Sequence, residues 1–144
     1  MKRLSIISLL LLAVILPAAA ETDTSLLIGT WVNPEHDGTW KVPKFVYRSN
    51  GTGEEYASTY ATEPTTFFTW TVEETWQDAG GAYWFKKNVA TLRSADSRSR
   101  VFYLLVRISP DRTTYEEDYI RENLREFATE INPRSYFYKI LYRE

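Results

Sequence analysis

Residues 100–108, Arg-Val-Phe-Tyr-Leu-Leu-Val-Arg-Ile, are apolar at almost every position. At the two-residue period of an extended chain, Val101, Tyr103 and Leu105 point one way, and Phe102, Leu104, Val106 and Ile108 the other. A strand built like this needs cover on both faces. A β-sandwich, which buries one face of each strand and leaves the other polar, is therefore the runner-up architecture. A closed barrel with a filled or partly hollow interior suits the pattern better. An oligomer interface would account for the same apolar excess, and the sequence leaves the oligomeric state open.

The rest of the chain supplies strands to close such a barrel. Residues 45–48 read as a strand and Ser49-Asn50-Gly51-Thr52-Gly53 as its turn, Asn-Gly being the strongest short hairpin signal. Residues 54–60 return, with Tyr56, Ser58 and Tyr60 on one face. Asn50-Gly51-Thr52 also matches a glycosylation sequon, but in a tight hairpin its structural role comes first. Residues 66–73 form a β-branched and aromatic strand with Phe68, Trp70 and Val72 on one face. Gln77-Asp78-Ala79-Gly80-Gly81 is the next turn. Residues 83–92 form a longer strand, and 94–99 a polar connection to 100–108. Ser109-Pro110-Asp111-Arg112 turns into 113–120, with Tyr115 and Tyr119 on one face. The period then changes: Leu124, Phe127 and Ile131 predict a short helix over 121–131, ended by Asn132-Pro133. Residues 135–143 are the last strand.

About eight strands, mostly antiparallel neighbours, and one short helix before the last strand define an all-β chain. A barrel removes its edges, with the last strand pairing to the first.

The first strand lies in residues 26–32, Leu-Leu-Ile-Gly-Thr-Trp-Val. Gly29 allows a backbone or a large ring to approach closely, and the Trp31 indole N–H needs a partner. Gly29-Thr30-Trp31, followed by short strands, resembles the Gly-x-Trp opening of lipocalin-like small barrels. The hairpin around Gly51 and Gly53 is similar to the second hairpin of bacterial lipocalin-like domains. The resemblance covers most of residues 26–144 in layout. It implies an up-and-down barrel in which Trp31 packs at the closed end beneath an arginine from late in the chain. Arg143 and Arg121 are the candidates, and antiparallel closure favours Arg143.

Lys2 and Arg3, an apolar run over 4–17 and Ala18-Ala19-Ala20 have the form of a secretory signal peptide, 1–20, leaving a single domain over 21–144. The apolar run is too short and too early for a membrane span, so none is expected after cleavage. The expected location is periplasmic or secreted. Removing Lys2 and Arg3 takes 17 basic residues to 15 against 19 acidic ones, a net charge of −4. No basic face stands out, which argues against nucleic acid. There is no cysteine, which excludes disulfides, thiol catalysis and cysteine metal sites.

No catalytic set is recognisable. The single histidine lies in the loop Asn33-Pro34-Glu35-His36-Asp37-Gly38, where three consecutive residues cannot all point at one metal ion without strain. Carboxylates cluster at Glu54-Glu55, Glu73-Glu74 and Glu116-Glu117-Asp118, but strand neighbours face opposite ways. No enzyme, metal or cofactor is expected. The resemblance implies a binding protein that holds an apolar or amphipathic small molecule inside the barrel. The candidate lining residues are Tyr47, Tyr56, Trp70, Trp84 and Tyr103. Lys86 and Arg107, two residues from Trp84 and Leu105, are candidate anchors for an anionic head group, and Glu117 is a candidate internal partner for such a cation. If the aromatic residues face outwards instead, the alternative is a protein-interaction or envelope-structural domain.

Overall fold

Eight antiparallel strands wind in sequence order, each bonded to the next, and the last closes on the first. The computed structural model describes residues 23–92 and 100–144. The expected signal peptide and the 94–99 connection lie outside them. The strands are β1 Gly29–Val32, β2 Lys44–Tyr47, β3 Thr52–Tyr56, β4 Thr66–Gln77, β5 Tyr83–Leu92, β6 Arg100–Ile108, β7 Thr114–Asp118 and β8 Lys139–Arg143. The all-β, up-and-down barrel expected from the sequence is the observed fold.

The two ends differ. The β2–β3, β4–β5 and β6–β7 turns are short and share one end with a 3₁₀ turn, Thr24–Leu27. The connections after β1, β3 and β7 are long and share the other end. The 3₁₀ turn corrects the expectation of a strand from Leu26. The Asp23 carboxylate accepts from the Ser25 N–H at 2.8 Å and caps the turn. The turn then presses Leu27, fully buried, into the barrel end. Trp31 lies against it, its indole N–H donating to the Leu27 carbonyl at 2.9 Å.

Period-two alternation decides which side chains fill the interior. Trp31, Phe45, Tyr47, Phe68, Trp70, Phe85, Val89, Leu104, Val106, Ile108, Tyr115 and Leu141 form one buried cluster. Gly53 faces inward opposite Phe68, and a Cβ there would lie 2.1 Å from that ring. The missing side chain is what lets the ring reach the core. In β4 the pairing with β5 slips between Val72 and Glu74. That bulge changes the parity of the strand, so Phe68, Trp70 and Val72 share the inner face whereas Trp76 turns outward.

The helix expected over 121–131 is absent. Asn123 sits at φ 59°, its N–H donating to the Val101 carbonyl at 2.7 Å and its side chain accepting from the Val101 N–H at 2.9 Å. This pairing with β6 breaks a helix near its start. Further on, the Asp118 carboxylate accepts from the Asn132 N–H at 3.1 Å and the Ser135 hydroxyl at 2.8 Å. The irregular segment so pinned lays Phe127 edge-on against Tyr103, with ring centres 5.4 Å apart. It supplies part of the outer cover that the two-faced β6 requires.

Candidate functional site

The long-loop end opens into the barrel. The cavity behind this mouth has a volume of about 220 Å³. Phe45, Phe68, Val89, Phe102 and Leu104 supply the apolar part of its walls, and its mouth is flanked by Trp40, Tyr119 and Arg100. Lys139, Glu117, Glu55, Thr66 and Thr91 bring polar atoms to the lining.

Beneath the cavity lies a buried charged cluster. Lys87 is fully buried, and its Nζ donates to the Tyr47 hydroxyl at 2.6 Å and the Tyr115 hydroxyl at 2.5 Å. Tyr115 in turn donates to a Glu117 carboxylate oxygen. Glu117 is also 3.7 Å from Lys87 Nζ and 3.5 Å from Lys139 Nζ. The residues come together because Lys87 sits on the inner parity of β5, Tyr115 and Glu117 on that of β7, and Lys139 directly across from Glu117 on β8.

Burial pulls the Lys87 pKa down to about 8, although the Glu117 charge opposes the shift. Burial alone would raise the Glu117 carboxyl, but Lys139, Lys87 and the Tyr115 hydroxyl outweigh it and hold the group below its ordinary value. Burial, reinforced by Glu117, pushes the Tyr47 and Tyr115 hydroxyls well above theirs. Glu55 also lines the cavity beside Glu117 and Lys139, so carboxylates and a lysine share its polar lining.

Of the seven residues singled out as candidate contacts, two face inward. Tyr47 lines the cavity, and Trp70 packs beside it with ring centres 5.7 Å apart. The other five lie on the outer wall. Tyr56 bonds Glu54 at 2.6 Å beneath Lys44. Trp84 donates to Asp78 at 2.8 Å and stacks on Trp76. Tyr103 accepts from Arg125 at 3.3 Å. Lys86 pairs with Glu74 at 2.6 Å and Arg107 with Glu116 at 2.8 Å. In β5 it is Lys87, not Lys86, whose side chain enters the barrel. Lys139 was missed altogether, although its neighbour two along, Leu141, is a core residue.

At the closed end, the Arg143 guanidinium lies 4.3 Å from the Trp31 ring centre. It donates to the carbonyls of Leu26, Ile28 and Arg112 at 2.6, 3.1 and 3.0 Å. Gly29, at φ 126°, leaves the space that Arg143 occupies. Arg121 is exposed at the other end, beyond β7. In the histidine loop, both Asp37 carboxylate oxygens are engaged by Thr59, at 2.8 and 2.7 Å. Among the described residues, no group of three or more His, Cys, Asp or Glu side chains is placed to hold a metal ion.

Fold and cavity together define a closed eight-stranded antiparallel barrel with an opening at one end, an arrangement consistent with a lipocalin-like barrel. Comparison with family models, curated proteins and solved structures found no match for this chain.

Proposed function

We propose that this chain is an exported, non-enzymatic binding protein, periplasmic or secreted, that holds the apolar end of a small amphipathic molecule in its barrel. The observation that carries the reading is the cavity itself: a chamber open at the long-loop end, walled by aromatic and aliphatic side chains and by a nearly equal share of polar surface. Its volume of about 220 Å³ lies below the 300–1,000 Å³ usual for a drug-sized ligand. The buried part of the ligand is therefore short. Any longer tail or bulky head remains at the mouth, where Arg100, Lys139, Glu55 and Glu117 offer hydrogen-bonding groups of both signs.

Titration with octyl-chain amphiphiles, followed by tryptophan fluorescence, tests the reading. Saturable binding is expected, and it is expected to disappear in Val89→Phe, which fills the chamber from its wall. Arg107→Gln and Lys86→Gln are expected to bind as wild type does, because both side chains lie outside. Failure of every octyl amphiphile to saturate, or binding untouched by Val89→Phe, would overturn the cavity as the site. Mass spectrometry of the protein from its own host tests export: a mature chain that retains residues 1–20 contradicts it.

A further inference from the structure

Seven large hydrophobic side chains among the described residues are exposed, and six of them lie at the mouth end: Trp40, Tyr60, Phe67, Leu92, Ile120 and Tyr136. They come from every described connection at that end and from the adjoining ends of β4 and β5. Trp40 and Tyr136 stack with ring centres 4.4 Å apart while remaining 54% and 66% exposed. Phe67 and Leu92 are cross-strand partners on the outer face. The rim stack runs on into the cavity. Tyr136 meets Phe137 at 5.2 Å, Phe137 stacks on Tyr119 at 4.3 Å, and Tyr119 meets Phe102 in the cavity wall at 5.3 Å.

The walls below the rim are different. They carry the ion pairs Lys86–Glu74, Arg107–Glu116 and Arg48–Glu54, which belong in water. On the rim itself, charges of both signs interleave, Glu35 and Lys41 in the connection after β1 and Arg121 beside Glu122 after β7, so no single-sign field selects an ionic partner.

We propose that the mouth rim seats on the surface of a lipid bilayer, and that the amphiphile passes between bilayer and cavity along this ladder of rings. The passage rests on the binding reading above; the seating does not. A bilayer fits the rim better than a protein partner does. The exposed groups ring an opening instead of forming one packed patch, and tyrosine and tryptophan carry the apolar body and polar tip suited to a membrane–water interface. The mixed rim charge requires no anionic lipid, so a zwitterionic surface suffices.

The test uses protein purified from its host, with vesicles of phosphatidylcholine. Sedimentation measures partitioning, and brominated acyl chains report tryptophan depth by quenching. The comparison is the triple variant Tyr60→Ser, Phe67→Thr, Leu92→Thr, none of which lines the cavity. Octyl-amphiphile binding without vesicles monitors the cavity separately. Wild type is expected to partition and be quenched, and the variant to partition about tenfold or more weakly through its lost apolar contacts, with octyl binding kept. Wild-type protein that stays in the supernatant overturns the seating, as does a variant that partitions like wild type. Self-association abolished by the triple variant, without vesicle partitioning, would assign the rim to a second copy and also overturn it. Rim-dependent partitioning with no octyl binding in either protein would support the seating and remove only the cavity reading.

Discussion

Lys86 and Lys87 are sequence neighbours on opposite sides of one strand, and only Lys87 reports on the barrel interior. The lysine pKa falls from 10.5 unfolded to about 8 folded, so the folded state disfavours its charged form. Below pH 8 both states are protonated and the penalty is complete. Between about 8 and 10.5 the unfolded chain binds more protons, so stability rises with pH. Above pH 10 the opposite applies to Tyr47 and Tyr115, which stay neutral when folded but ionise when unfolded, and stability falls. Urea unfolding stepped from pH 7 to 10 is expected to show a gain on the order of 1–3 kcal/mol. Lys87→Met is expected to lack it; a parallel pH profile in the variant would contradict the burial of that charge. At the closed end, Trp31→Ala is expected to cost about 3–5 kcal/mol as a large-to-small core change. A double-mutant cycle with Arg143→Gln is expected to give a coupling of about 0.5–2 kcal/mol for the stacked cation. No coupling would mean that Arg143 acts only through its carbonyl contacts.

Among the elements, the hairpin of β2 and β3 depends on a glycine. Gly53→Ala would place a methyl group inside the Phe68 ring, an overpacking expected to cost about 1–3 kcal/mol. Phe68→Leu in the same chain is expected to recover part of that loss; strict additivity in chemical denaturation would count against the steric cause. The segment between β7 and β8 depends on Asp118, whose carboxylate accepts from two points on it and from the Tyr119 N–H. Asp118→Ala is expected to leave the barrel folded but to open residues 121–135 to limited proteolysis, with cleavage sites mapped by mass spectrometry. This segment also shows where the sequence was misleading. Leu124, Phe127 and Ile131 carry a helical spacing, but they belong to an irregular cover held by long-range bonds from Asn123 and Asp118, which no local pattern announces. The inner parity of β5 was legible and was misjudged: Tyr83, Phe85 and Val89 outweigh Trp84, Ala90 and Leu92 as a core set, and following them would have put Lys87 inside. The aromatic ring of Trp84 drew attention to the wrong face. On β6 the four aliphatic and aromatic residues from Phe102 to Ile108 likewise mark the inside, while Tyr103 and Leu105 answer to the outer cover.

For the whole molecule, the barrel and its closure were readable because period-two patterning and turn residues are local signals that repeat along the chain. The cavity was not, because it depends on how neighbouring side chains fill a shared volume. Closure itself is made at a short seam: β1 and β8 share two residue pairs, Trp31 with Arg143 and Val32 with Tyr142, whereas β4 and β5 share ten. Native-state hydrogen exchange is expected to find the seam amides less protected than those of β4, β5 and β6; equal protection throughout would mean that the barrel opens only as one unit. The seam also bears on the order of assembly. The hairpins of β2–β3 and β4–β5 join residues a few positions apart, while the Arg143 bond to Leu26 spans 117 positions. By loop-closure entropy that span is harder to close by roughly 3 kcal/mol. The meander can therefore form first as an open, curled sheet, and the slow step becomes a single zipping event between its two edges. Until it occurs, both edges remain available to another chain, so the yield of folded barrel should decline as the concentration of refolding protein rises.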